Sequence, residues 1–167
     1  YMMDVIYDEL KNKEKDEKKF LFVATGQNHS PYSKDRYKKY DVKVKSSNYN
    51  KEDTGLLQCY AQGVYDADKQ LDRLYKNINK LDEKTIIILF GDHNPYIVNK
   101  KGENIYLTDS YFNTGDKNLD YLHTYTTPAV ILANYDIDID DIKYINANYL
   151  GSYVVNNLDI NASDYFK

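Results

Sequence analysis

Three short, unbroken apolar runs constrain this chain most: Phe20 to Thr25, Thr85 to Phe90 and Pro128 to Ala133. A continuous apolar run of this length suits a strand covered on both faces, as in a parallel sheet. None approaches the roughly 20 residues that a bilayer-spanning helix needs. Between the first two runs, Leu57, Tyr60, Val64, Ala67, Leu71, Leu74, Ile78 and Leu81 recur at alternating spacings of three and four. That spacing predicts a helix over 54–81 whose apolar stripe packs on a sheet, with Asp53 or Thr54 as its N-cap. A long helix between two strands is a parallel crossover. The expectation is therefore an α/β fold: a largely parallel sheet flanked by helices, with strands near 19–25, 85–91 and 128–133.

The remaining segments fit around that frame. Met2, Val5, Ile6 and Leu10 mark an amphipathic helix over residues 1–12. The opening Tyr1-Met2-Met3-Asp4 reads as the middle of a helix, so the chain is expected to be a piece of something longer. Residues 26–53 are polar and read as a long functional loop. Residues 94–122 are also polar, with a small hairpin around Lys101-Gly102. A last helix is expected from Asn146 to Leu158, burying Tyr149, Leu150, Tyr153 and Val154.

Composition excludes some partners. The formal net charge of −4 comes from interspersed Lys and Asp/Glu, so no electrostatic footprint for nucleic acid or an anionic membrane surface exists. The single cysteine, Cys59, rules out an internal disulfide and reads as a small core or boundary residue. Nineteen tyrosines without a tryptophan fit either AT-rich coding or a tyrosine-lined carbohydrate or glycolipid surface.

In open α/β sheets, ligands bind beyond the carboxyl ends of the strands. Two of the three histidines follow apolar runs, His29 after the first and His93 after the second, whereas His123 precedes the third. In Gly91-Asp92-His93-Asn94-Pro95 the glycine lets the backbone leave the strand sharply. The adjacent carboxylate and imidazole are a hard and a borderline donor, and together suit one divalent cation. Alone, Asp-His in a loop fits a plain surface turn as well; its place after an apolar strand favours a site. Thr25-Gly26-Gln27-Asn28-His29-Ser30-Pro31-Tyr32 brings a second histidine to the same expected edge. There His29 suits hydrogen bonding to a phosphoryl or sulfuryl oxygen, or proton transfer to a leaving group. A loop histidine without a role is the alternative.

Together these features resemble the sulfatase-like branch of the alkaline phosphatase superfamily, and within it lipoteichoic acid synthases and related phosphoglycerol transferases. His29-Ser30-Pro31-Tyr32 is similar to the family's H-x-P-[YF] after an apolar strand. A long helix with Tyr60 and Asp68 precedes a Thr-Ile-Ile-Ile strand, and Phe90-Gly91-Asp92-His93 is similar to the family's strand-G-D-H. His123 to Asn134, with its apolar strand, is similar to a late strand in these proteins. The resemblance implies metal ligation by Asp92 and His93 and substrate binding by His29. It implies manganese or magnesium as in the synthases, or calcium as in many sulfatases. The substrate implied is an anionic lipid headgroup or glycerophosphate polymer, handled on the extracellular side of the cell membrane.

Departures from the pattern matter as much. The family places an acidic metal ligand and a Thr or Ser nucleophile in its N-terminal half, and no residue here is identifiable in either role. Cys59 is followed by Tyr60-Ala61-Gln62-Gly63, unlike the sulfatase C-x-P-x-R. Residues 1–167 are thus expected to be the C-terminal portion of one sulfatase-like domain, inert alone, with the missing half as partner. An uncovered apolar face would then make self-association plausible. Two readings compete within the enzyme class, a sulfatase and a phosphoethanolamine transferase. A cell-envelope carbohydrate-binding module competes from outside it, as does a structural interaction domain with incidental histidines.

Overall fold

The computed structural model describes residues 1–158, 160, 161, 163 and 164. Helix α1 (Met2–Lys11) packs on the long helix α2 (Lys51–Ile78), and Arg73 Nη2 meets Asp4 Oδ1 at 2.7 Å between them. Helix α2 starts at Asn50, whose Oδ1 accepts the N–H groups of Glu52 and Asp53 at 2.9 Å each. Two of the orphan donors of the first turn are satisfied in this way. The cap thus lies a few residues before the expected Asp53 or Thr54. No helix among the described residues is long and apolar enough to cross a membrane.

Strand β1 (Ile86–Phe90) pairs with strand β2 (Ala129–Ala133) in a two-stranded antiparallel ribbon, from Ile86 opposite Ala133 to Phe90 opposite Ala129. The expected large parallel sheet is therefore corrected. The cause lies in the connection. Gly91 N–H donates to Pro128 O at 3.1 Å, so the chain returns to the ribbon at the end where it left it. A parallel crossover must deliver the chain to the opposite end. The segment between holds a single 3-10 turn, Ile105–Thr108, and helix α3 (Lys117–Tyr125), neither of which spans the ribbon. The first apolar run, Phe20 to Thr25, forms no ladder with any described residue and leaves Phe20 and Phe22 exposed. Hydrophobicity marked it for burial, but a strand also needs a neighbour to bond. Nor is β1 covered on both faces, since Leu89 and Phe90 remain about half exposed.

Other expectations fare better. Lys101-Gly102 sits in a tight reversal, with Gly102 at φ +81° and Val98 bridged to Asn104. Helix α4 (Ala147–Asn157) covers the expected last helix and buries Val154, although Tyr149 is exposed. Cys59 is buried, along with Leu74, Ile78, Ile97, Ile105 and Phe112. The stripe on α2 buries only at its C-terminal half, because Val64 and Ala67 face outward. Toward the N-terminus the buried positions are Cys59, Gln62 and Gly63.

That rotation has a cause in the polar loop that follows the first apolar run. Gln62 Oε1 accepts the N–H of Asp41 at 2.7 Å, and Gln58 Oε1 accepts that of Val44 at 2.8 Å. Gln58 Nε2 also donates to Val42 O. Two helix amides thus replace a neighbouring strand as hydrogen-bond partners for loop backbone. At Gly63 the loop comes closer still: an added Cβ would lie 2.0 Å from Asn28 Oδ1. Only glycine lets Asn28, the neighbour of His29, rest there.

Candidate functional site

Strand β1 delivers its chain end to Thr127. Thr127 Oγ1 donates to Gly91 O at 2.6 Å, and a Cβ on Gly91 would sit 3.0 Å from Thr127 Cβ. Beyond this clamp Asp92 and His93 are exposed. Asp92 Oδ1 accepts the His93 N–H at 2.9 Å, and Asp92 Oδ2 lies 3.6 Å from His93 Nε2. His93 Nδ1 lies 2.8 Å from Asn94 O. A carbonyl only accepts, so Nδ1 carries a proton, and in the tautomer this selects the lone pair is on Nε2.

The half-buried side chain of Asn94 fixes this loop to α3. Its Nδ2 donates to Thr124 O at 2.6 Å and His123 O at 3.2 Å, two carbonyls of the helix's last turn. Such carbonyls have no partner within the helix. His123 uses the same device as His93, with Nδ1 donating to Tyr111 O. Its ring stacks on Tyr111 at 3.9 Å between centroids and 7° between planes.

His29 stands on its own loop. Its Nδ1 donates to Ser30 O at 2.8 Å, again leaving the lone pair on Nε2. Arg36 donates from Nη2 to Gln27 O at 2.7 Å and from Nη1 to His29 O at 3.0 Å. Tyr32 Oη donates to Asn28 O at 2.7 Å. The structure thus brings Asp92 and His93 together directly. Among the described residues, no hydrogen bond or ion pair joins either of them to His29.

An aromatic row connects the two loops instead. Tyr32 meets Tyr60 of α2 at 5.8 Å between centroids, and Tyr60 meets Tyr106 at 5.6 Å. Tyr106 meets Phe112 at 5.2 Å, Phe112 meets Tyr111 at 5.0 Å, and Tyr111 stacks on His123. Edge-to-face and tilted contacts at these distances are favourable ring arrangements. Burial, with Tyr106 and Tyr32 beside it, pushes the Tyr60 hydroxyl up to about 12. Near one end of the row a cleft of about 360 Å³ is bounded by Tyr32, Lys34, Leu56, Val98 and Lys100.

A divalent cation fits the Asp92–His93 pair as far as the pair extends. One ion bonded at about 2.1 Å to each atom spans a 3.6 Å separation, and the Nε2 lone pair is free for it. Among the described residues no group of three or more His, Cys, Asp and Glu side chains could hold a metal ion. Asp92 and His93 by themselves offer two donors.

Sequence reasoning missed the residues that orient these groups: Arg36, Asn94, Thr127 and Tyr111. Arg36 carried a signal, being one of two arginines among many lysines in this chain. The others carried none, because their partners are main-chain carbonyls or rings far away in sequence.

Comparison with known proteins supplies the family. The Sulfatase family model matches residues 1–158. The structure of Streptococcus pyogenes phosphoglycerol transferase GacH, in complex with sn-glycerol-1-phosphate, aligns with a TM-score of 0.74 at 22% identity, covering 99% of this chain and 39% of that one. At this identity the likeness is one of fold. A curated protein of Rhizobium meliloti (strain 1021), named for cyclic beta-1,2-glucan modification, is 43% identical over 76 residues, or 46% of this chain and 12% of that protein. The chain therefore spans well under half the length of either relative. Its strand end Gly91-Asp92-His93, the likeness of fold and a match over residues 1–158 lead to one conclusion: the chain belongs to the sulfatase family, within the alkaline phosphatase superfamily.

Proposed function

We propose that this chain carries part of the active site of a metal-dependent phosphoglycerol transferase that works on the outer face of the cell membrane. The donor is a glycerophospholipid headgroup or glycerophosphate polymer, and the acceptor is an envelope glycan. The observation that carries the reading is the Asp92–His93 pair, with Nε2 freed by the Asn94 carbonyl and 3.6 Å from the carboxylate. The ligand of the solved relative supports glycerol phosphate as the group transferred. The name of the curated relative supports a glycan as the acceptor.

In this reading Asp92 and His93 hold a divalent cation, manganese or magnesium, together with donors outside this chain. When bound, the ion supplies positive charge against the oxyanion that develops during phosphoryl transfer. Asp92 contributes the anionic donor, and its second oxygen stays on the His93 N–H, which limits its rotation. His29 takes up a proton on Nε2 and, as the imidazolium, donates it to a phosphoryl oxygen or to the leaving group. The nucleophile belongs to the remainder of the domain.

The test is turnover of a chromogenic phosphodiester and of a fluorescent phosphatidylglycerol by the intact protein, with and without manganese, beside Asp92→Ala. Metal-dependent cleavage lost in the variant is expected. Cleavage of an aryl sulfate in preference to both phosphodiesters would overturn the reading in favour of a sulfatase.

A further inference from the structure

We propose that Arg36 is the positioning residue for His29, and that it acts through the backbone of the loop rather than on substrate. The inference rests on the reading of His29 as substrate-binding. Its ground is the fate of six consecutive carbonyls. Gly26 O accepts the His29 N–H at 3.2 Å, Asn28 O accepts the Tyr32 hydroxyl, and Ser30 O accepts His29 Nδ1. The other three, Gln27 O, His29 O and Pro31 O, all go to Arg36, at 2.7, 3.0 and 3.5 Å. No carbonyl from 26 to 31 is left without a protein donor, and one side chain supplies half of them.

An exposed loop has no need of this, because water serves its carbonyls at no cost in order. Internal satisfaction is what a loop requires when one of its side chains must point in a set direction. The residue type matches the task. Guanidinium offers five donors in a planar fork, so a single group bridges carbonyls at positions 27, 29 and 31. A lysine ammonium has three donors on one atom and cannot span the same arc. Among the described residues no carboxylate pairs with Arg36, so its fork is committed to the loop. The Tyr37 ring lies 5.9 Å from its Cζ and flanks the guanidinium. The consequence falls on the imidazole, because the Ser30 carbonyl that holds Nδ1 lies between two carbonyls that Arg36 holds.

The experiment compares Arg36→Ala, Arg36→Lys, His29→Ala and the Arg36→Ala/His29→Ala double variant in the intact protein, with manganese and a chromogenic phosphodiester. Arg36→Ala is expected to lower kcat/KM about tenfold, mostly through KM, and Arg36→Lys to recover part of that. The double variant should be no worse than His29→Ala alone, since both act through one imidazole. Nitrogen-15 spectra of His29 should show the Nδ1–H tautomer in the parent and a mixture in Arg36→Ala. Additive losses in the double variant, or an unchanged tautomer in Arg36→Ala, would overturn the proposal. If His29→Ala leaves turnover intact, the reading of His29 fails on its own, and the tautomer still decides whether Arg36 orients the ring. Should Arg36→Ala not fold, Arg36→Gln, which keeps an N–H donor on a shorter arm, takes its place in both measurements.

Discussion

The β1–β2 ribbon ends twice, and an asparagine stands at each end. Where β1 begins and β2 finishes, Asn134 Nδ2 donates to Ile78 O, Leu81 O and Glu83 O at 2.9–3.2 Å. Its Oδ1 accepts the Thr85 N–H at 2.7 Å. Every polar group of that side chain is used to close α2 onto the ribbon beside buried Ile78 and Thr85. At the other end, Asn94 Nδ2 also gathers carbonyls, both of them from the last turn of α3. There the same device leaves something over: the Asn94 carbonyl orients His93, and Asp92 and His93 stay exposed. One end uses its hydrogen bonds to seal the structure. The other uses them to hold two donors in a fixed pose toward solvent.

Substitutions at each end test that contrast. The largest effect is expected from Asp92→Ala, which should lower metal-dependent turnover more than about a hundredfold, since even residues behind a metal ligand cost 10–100-fold. Stability should change by less than about 0.5 kcal/mol, as for exposed positions generally. A large loss of stability in urea would break the comparison. Asn134→Asp should do the reverse. Replacing the amide NH2 donor by an oxygen that faces three carbonyls removes roughly 3 kcal/mol of stability, read from the urea midpoint at unchanged slope. Turnover per folded molecule should be retained.

Asn94→Ala should fall between them. It keeps the carbonyl that orients His93 but frees the loop from α3, so about 1 kcal/mol of stability and about tenfold in manganese affinity should be lost together. Calorimetric titration that finds unchanged affinity would show that the clip to α3 does not position the pair. The smallest effect concerns Tyr60 in the aromatic row. Its folded-state value, about 12, lies above the ordinary 10.0 because of burial. Its contribution is therefore complete below pH 10 and is lost as pH rises toward about 12. The urea midpoint should fall over that interval, and Tyr60→Phe should remove the part of the fall that Tyr60 causes.

The sealed end and the open end were not equally legible in the sequence. Gly91-Asp92-His93 stood out because three chemically distinct residues close an apolar run. Both strands of the ribbon were visible as runs, but their direction was not, since hydrophobicity carries no sign along the chain. Direction was decided by the return of Pro128 to Gly91. Helix α3 was hidden because it spans only Lys117–Tyr125 and its apolar residues are few. The local cue was Asp116, whose carboxylate accepts the N–H groups of Asn118 and Leu119. The face that α2 buries departs from its apolar stripe for a related reason. Gln58 and Gln62 look solvent-facing by type, yet they serve as partners for loop backbone, and polar burial of that kind leaves no hydrophobic period. In the sequence Asn134 marks only the end of a strand, since its four partners come from positions 78 to 85.

The aromatic row also gives the molecule an optical property. With nineteen tyrosines and no tryptophan, its near-ultraviolet emission is tyrosine emission, undistorted by transfer to an indole. The phenol rings of Tyr32, Tyr60 and Tyr106, 5.6–5.8 Å apart in succession, are close enough to exchange excitation, whereas Phe112 only spaces Tyr106 from Tyr111. The row terminates in a phenol stacked 3.9 Å from an imidazole, on the helix to which the His93 loop is clipped. A paramagnetic ion such as manganese near that terminus is expected to quench Tyr111 and, through transfer between phenols, its neighbours in the row. Events at the open end of the ribbon therefore register in the protein's own light, without a label.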